Sequence, residues 1–111
     1  MPAPTKFRLV LTTTATLAEA RLIARSILEK RLAACVNILP IPIESLYTWQ
    51  GKLETTSEHL LLIKTSLSKL KPLEKEVLRL HSYHTPEFIA LPISHGSPAY
   101  LNWLASSTKS E

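Results

Sequence analysis

The stretch that decides the fold is Ala33–Thr65, which reads AACVNILPIPIESLYTW, QGK and LETTSEHLLLIKT. Ala33–Trp49 is dominated by aliphatic and aromatic residues, which favours a long extended segment. Gln50–Lys52 contains a glycine and supplies a tight turn. Leu53–Thr65 then predicts a second long strand. The stretch is therefore predicted to form a long β-hairpin.

Two prolines, Pro40 and Pro42, interrupt the first strand of this hairpin. N–H groups two positions apart in a strand point to the same side, so the missing donors weaken only one edge. This spacing is typical of an edge strand or of a bend. Two interpretations stay open: one strand along its whole length, or two short pieces separated by the prolines.

Further elements flank the hairpin on both sides. Thr16–Glu19 (TLAE) matches a capping box, which predicts a helix that continues to about Leu32. The resulting order is β-α-β-β-α-β, an α+β ferredoxin-like fold with an antiparallel sheet and both main helices on one face. The other predicted elements are a first strand at Phe7–Thr13, a second helix at Leu67–His81 with Pro72 in its first turn, a fourth strand at Pro86–Ile93 and a short terminal helix at Ala99–Ser106.

The length of the hairpin points beyond one chain. A strand of ~15 residues spans ~50 Å, whereas a compact domain of this size is only ~34 Å across. A straight hairpin would overhang its own domain and expose unpaired backbone, a problem that pairing with another copy would solve. The apolar run Leu60–Ile63 also predicts burial on both faces of the sheet.

Composition narrows the class of protein. The chain has 111 residues, 45% of them hydrophobic, so we expect one domain over residues 1–111 with a substantial core. Its single cysteine, Cys35, excludes an intrachain disulfide and fits a reducing compartment. Met1–Lys6 lacks the apolar segment of a secretory signal, and no apolar run approaches the ~20 residues of a membrane span. We expect a cytoplasmic protein.

The charged residues do not form a patch. Thirteen Lys and Arg against nine acidic residues give a formal net charge of +4, but the basic residues are scattered from Lys6 to Lys109. A nucleic-acid binder would concentrate them on one surface. We therefore expect neither a nucleic acid nor a membrane as a partner.

Several motifs in order along the chain resemble those of the CutA divalent-ion tolerance family. The similarity runs from about Phe7 to Leu104. The stretches that carry it are AACVNI (33–38), ESLYTWQGKLE (44–54), LIKT (62–65), HSYHTPE (81–87), LPISHG (91–96) and YLNWL (100–104).

This resemblance implies a ferredoxin-like homotrimer held by pairing of the long second and third strands between subunits, as in PII-type signalling trimers. It also implies tolerance of divalent metals, with copper or another divalent metal as the bound ion. The family's proposed copper ligands, a cysteine and a histidine pair, fall here on Thr12, Leu80 and His81. Only His81 matches.

Candidate metal ligands in this chain are His81, His84 and Cys35. His81 and His84 have an H-x-x-H spacing, and imidazole suits copper and zinc. A third ligand could be Cys35, a soft ligand for Cu(I), or else His59 or His95. The alternative is that both histidines are polar residues near a helix C-terminus and that Cys35 is a buried inert thiol.

The sequence offers no catalytic constellation. Cys35 has no local signature of a nucleophile with a histidine base, and two glycines are too few for a phosphate-cradling loop. We therefore expect a non-enzymatic trimer of the divalent-ion tolerance type. The alternative is a PII-like regulatory or scaffold module that binds a small molecule or protein partner in a cleft between subunits. By analogy with trimeric relatives, that cleft would be lined by Glu54, Glu58, Lys64 and Glu87.

Overall fold

The structure is a computed structural model in which residues 5–109 are described. Residues 1–4, on which part of the expectation about Met1–Lys6 rests, lie outside this range. Within it, no helix is both long and apolar enough to cross a membrane. The elements are β1 (Phe7–Thr14), α1 (Leu17–Glu29), β2 (Cys35–Ile38), β3 (Ile43–Trp49), β4 (Lys52–Ser66), α2 (Leu70–Leu80), β5 (Ile89–Pro92) and α3 (Pro98–Ser107), with a 3-10 turn at Leu67–Lys69 before α2.

The sheet is antiparallel and is organised around β4. Its order is β2-β4-β1-β5, and β3 also pairs with β4. The predicted ferredoxin-like order is confirmed, with α1 and α2 on one face of the sheet. The core between these helices and the sheet consists of Val10, Ala20, Ile23, Ile27, Ala33, Leu61, Ile63, Leu73 and Val77.

The segment Ala33–Trp49 forms two strands, β2 and β3, so the interpretation of this segment as one continuous strand is wrong. Ile38 lies opposite Leu61, whereas Ile43 lies opposite Glu58. Residues 39–42 therefore form a bulge in which four residues lie opposite only two residues of β4, 59 and 60. The two prolines in that segment have no N–H to donate to the ladder. Both pieces still pair with β4, which runs unbroken for 15 residues. The molecule measures 43 × 34 × 24 Å.

Other predicted boundaries and burials differ from the structure. Helix α2 begins at Leu70 after the 3-10 turn, rather than at Leu67, and ends at Leu80 rather than at His81. Helix α1 ends at Glu29, because Arg31 has a left-handed φ of 57°. The last strand is only Ile89–Pro92, an edge strand next to β1. The run Leu60–Ile63 is not buried on both sides. Its odd positions are fully buried under the helices, but its even positions are half-buried on the opposite side, which we call the open face.

Thr16 caps the N-terminus of α1 as the capping box predicts, whereas the Glu19 side chain binds Ser82 instead of reaching back to the cap. The side chain of Thr16 accepts a hydrogen bond from the Glu19 N–H at 3.1 Å. The Glu19 carboxylate accepts from the N–H and the hydroxyl of Ser82, both at 3.0 Å. Glu19 therefore fixes the segment that follows α2.

Glu76 joins the two main helices. Its carboxylate accepts from Arg79 Nε and Nη2 at 2.8 Å, from Lys30 Nζ at 2.7 Å and from Ser26 Oγ at 2.6 Å. The hydrogen bonds from Arg79, then from Lys30 and Ser26, hold the pKa of Glu76 well below its usual range.

We predict that Glu76→Gln lowers stability at pH 7 and that the difference from the original protein is smaller at pH 3. A lowered carboxyl pKa stabilises the folded state fully above the unfolded pKa of about 4.3, and this stabilisation declines progressively as the pH falls from there toward the lower pKa of the folded state. Urea unfolding of both proteins at pH 7 and pH 3 measures the difference. A gap of equal size at both pH values would contradict the assignment.

Candidate functional site

His81 lies directly after α2 and is almost fully buried, at 9% exposure. Its Nδ1 accepts from the Tyr83 N–H at 3.2 Å, which places the ring proton on Nε2. Nε2 then donates to the backbone carbonyl of Thr13 in β1 at 2.8 Å. Both nitrogens of the neutral imidazole are therefore occupied within the chain.

Tyr83 extends this arrangement toward β4. Its ring lies 4.9 Å from the His81 ring at a tilt of 42°, and its hydroxyl donates to Glu58 Oε2 at 2.9 Å. Burial, and then the hydrogen bond to Glu58, raise the pKa of Tyr83 well above its usual value. The phenol therefore stays protonated and acts as a donor at any physiological pH.

Glu58 completes the arrangement. Although it is a carboxylate, it is only 7% exposed, and its Oε2 also accepts from Thr13 Oγ1 at 3.1 Å. Thr13, His81, Tyr83 and Glu58 thus form a closed ring of hydrogen bonds, which we call the Glu58 circuit. The circuit connects β1, β4 and the segment after α2, three parts of the chain that are distant in sequence.

A cavity of about 600 Å³ opens beside the circuit. Residues from three segments meet there: the β3–β4 hairpin, the end of β1 and residues 83–87. The cavity is lined by Thr13, Glu44, Ser45, Leu46, Tyr47, Trp49, Glu58, Tyr83, Thr85 and Glu87. Burial, and then the nearby Glu58, raise the pKa of Glu87. We call this space the acidic cavity.

The predicted metal ligands do not lie together in one chain. His84 is exposed, with Nδ1 3.3 Å from Thr85 Oγ1. Cys35 is half-buried, with its Sγ 3.9 Å from Asn37 Oδ1. On β4, Cys35 pairs with Lys64, whereas Thr13, the hydrogen-bond partner of His81, pairs with Leu60. These two positions on β4 are four residues apart, which corresponds to about 13 Å along the strand between Cys35 and the surroundings of His81. In the described part of the chain, no three His, Cys, Asp or Glu residues are placed to hold one ion.

The other position implied by the family resemblance is Thr12. It is fully buried and lies opposite Leu61, so it belongs to the helix-covered side of β1. Its hydroxyl has no hydrogen-bond partner within residues 5–109. The implied ligand set therefore does not fit as a closed site within one chain.

Of the four residues that were expected to line a cleft between subunits, Glu58 and Glu87 both line the acidic cavity of one chain, and the cleft itself stays a prediction. Lys64 instead hydrogen-bonds to Asn37 in β2, and Glu54 lies nearer the hairpin tip, opposite Tyr47. The sequence reasoning missed the roles of Thr13 and Tyr83. The only available signal for Tyr83 was its position two residues after His81, within the HSYHTPE stretch.

Known proteins resemble this chain in both sequence and structure. "Protein CutA, chloroplastic" from Arabidopsis thaliana is 54% identical over 78% of this chain and 47% of its own length. "Divalent-cation tolerance protein CutA" from Thermus thermophilus is 47% identical over 80% of this chain and 85% of its own length. The chain spans about half the length of the first plant and animal relatives that it matches.

The solved structure of a periplasmic divalent cation tolerance protein, CutA from Archaeoglobus fulgidus, superposes with a TM-score of 0.89. It is 39% identical and is aligned over 93% of this chain and 99% of its own. The family model described as "CutA1 divalent ion tolerance protein" matches residues 8–107. The chain belongs to the CutA1 divalent ion tolerance family.

Proposed function

We propose that this protein acts in divalent-cation tolerance as a non-enzymatic cytoplasmic homotrimer that binds copper or another divalent metal. Membership of the CutA1 family carries the tolerance role. The absence of turnover is supported by Cys35, whose sulfur neighbours Asn37 and Tyr100 and has no hydrogen bond to a histidine base within the described residues. The cytoplasmic location is supported by the unpaired, half-buried thiol of Cys35.

Self-association is supported by the β3–β4 hairpin. Three large apolar side chains on it are exposed in one chain, Leu46 at 59%, Trp49 at 50% and Leu53 at 74%, and Ile41 just before β3 is exposed at 79%. Exposed apolar residues grouped in this way mark a surface that another protein surface covers. The family resemblance implies that this partner is another copy of the same chain and that the assembly is a trimer.

Metal binding, in this proposal, uses donors from more than one copy. In a single chain His81 is fully engaged in the Glu58 circuit, and Cys35 lies elsewhere on the sheet. His84 is the one member of the predicted ligand set that is exposed at the surface. We therefore assign His84 the first contact with the ion, while His81 and Cys35 stay candidate ligands that other copies would bring close.

Calorimetric titration of the full chain with Cu²⁺ tests this proposal. We expect binding that weakens at least tenfold in His84→Ala, because its exposed imidazole supplies the first ligand. His95→Ala removes another exposed imidazole, between β5 and α3, and it should leave the affinity unchanged. A further loss in Cys35→Ser would place the thiol among the ligands.

Two results would contradict metal binding at His84. One is the absence of any copper-dependent heat in the original protein. The other is an equal loss of affinity in His84→Ala and His95→Ala, which would indicate adventitious binding to surface imidazoles.

A further inference from the structure

A second cavity, of about 630 Å³, lies at the end of β4 that is opposite to the hairpin tip. Three parts of the chain meet around it: the start of β1, the 3-10 turn after β4 and the end of α3. We call this space the basal cavity. It shares no lining residue with the acidic cavity, and it includes none of the exposed hairpin side chains that the proposed contact between copies would cover. A role for the basal cavity is therefore independent of that contact.

Apolar side chains line one part of the basal cavity. Phe7 is half-buried there, and Leu67 is 44% exposed within the concave space. Ala105 of α3 extends this apolar surface. An exposed leucine in a concave space is stabilised when another apolar group covers it, and the volume is of the size that small-molecule sites have. The cavity therefore suits a small molecule with an apolar part.

The charged part of the lining is entirely basic. Lys6, Lys69 and Lys109 line the cavity, and none of its described lining residues is acidic. Within residues 5–109, the ammonium groups of Lys6 and Lys109 make neither a hydrogen bond nor an ion pair. Positive charges around one concave space produce a potential that attracts anions. Charge complementarity therefore favours an anionic ligand.

Capping of α3 does not account for the lysine at its end. A lysine near a helix C-terminus can serve to satisfy the last carbonyl groups. In α3 these carbonyls have other partners: Leu104 O accepts from the N–H of Thr108 at 3.3 Å and from its hydroxyl at 3.0 Å. The Thr108 hydroxyl also lies 3.3 Å from Ala105 O, and Ser106 O accepts from the Lys109 N–H at 3.4 Å. The ammonium group of Lys109 is therefore available to a ligand.

We propose that the basal cavity binds a small amphiphilic anion, a free carboxylate on an aliphatic chain of medium length. Lys6 and Lys109 contact the carboxylate, and the aliphatic chain covers Leu67. The hydroxyls of Ser66 and Ser68, whose oxygens are 3.2 Å apart, supply hydrogen-bond donors in the same lining. This role goes beyond divalent-cation tolerance, and it depends neither on copper binding nor on the number of copies.

The test is calorimetric titration of the full chain with octanoate as the probe, at fixed ionic strength. We expect the double variant Lys6→Gln, Lys109→Gln to weaken binding at least tenfold, because it removes both charges that face the carboxylate. Lys52→Gln, Lys75→Gln is the matched control: it removes the same charge from exposed positions outside the cavity, and it should leave the affinity unchanged. Octylamine, which has the same chain length and the opposite charge, should not bind.

Leu67→Ser tests the apolar contact separately. Its side chain is partly exposed in a turn, so the replacement removes apolar surface from the cavity at little risk to folding. We expect the affinity for octanoate to fall about threefold or more.

Three results would overturn the proposal. The first is the absence of octanoate binding, and the second is an equal loss of affinity in the two double variants, which indicates general attraction to a basic surface. The third is an unchanged affinity in Leu67→Ser, because the aliphatic chain would then lie elsewhere. Copper is measured in a separate titration, so failure here leaves the metal proposal intact, and the reverse also holds.

Discussion

Replacing His81 with alanine is expected to lower the free energy of unfolding by about 2–4 kcal/mol. The ring is 9% exposed, and it satisfies the Thr13 carbonyl and the Tyr83 N–H at the same time. Its removal leaves two backbone groups without their partner and a void under the Glu58 circuit. Urea unfolding at one fixed protein concentration measures the change, because the stability of an oligomer depends on concentration.

His84→Ala is the natural control for this prediction. His84 lies three residues further along the chain but is exposed, with only a 3.3 Å contact to Thr85. Its replacement should change stability by no more than about 0.5 kcal/mol. Similar losses in the two variants would mean that His81 does not serve as the structural link described above.

The second large effect concerns assembly. Leu46 and Leu53 lie near the hairpin tip at 59% and 74% exposure, and the pairing of Thr48 with Leu53 places both leucines on the same face of the hairpin. Replacing both with glutamate would force charges into an interface that excludes water. We expect the double variant to have a mass of 12.4 kDa in light scattering, the mass of one chain.

A leucine elsewhere on the surface controls for the added charge. Leu22 on α1 is 56% exposed and lies away from the hairpin. Leu22→Glu should leave the mass of the assembly unchanged. If both variants dissociate, or if neither does, the hairpin is not the surface that holds the copies together.

The fold could be predicted from the sequence to a large extent because its signals are local. Periodicity, the capping box at Thr16 and the Gln50–Gly51 turn each depend on residues close together in the chain. The sequence did not decide whether Pro40 and Pro42 divide the strand, because proline spacing alone does not predict whether the chain pairs with the same neighbouring strand again. In the structure, the chain forms a bulge at these prolines and then pairs with β4 again.

The site was much less predictable, because its contacts are long-range. Glu58 meets Tyr83 across 25 positions, and His81 meets Thr13 across 68. The H-x-x-H spacing suggested that His81 and His84 could bind one ion, although the predicted helix already ended before His84. In the structure α2 ends at Leu80, and His81 is buried whereas His84 is exposed.

The most direct test of the proposed homotrimer is the mass of the unmodified protein in solution, measured by light scattering over a dilution series. We expect three copies of a 12.4 kDa chain, about 37 kDa, that persist on dilution because the β3–β4 hairpin needs a partner. A mass of 12.4 kDa at all concentrations would contradict it, because the exposed hairpin would then be stable alone and no ligand from another copy could reach His84.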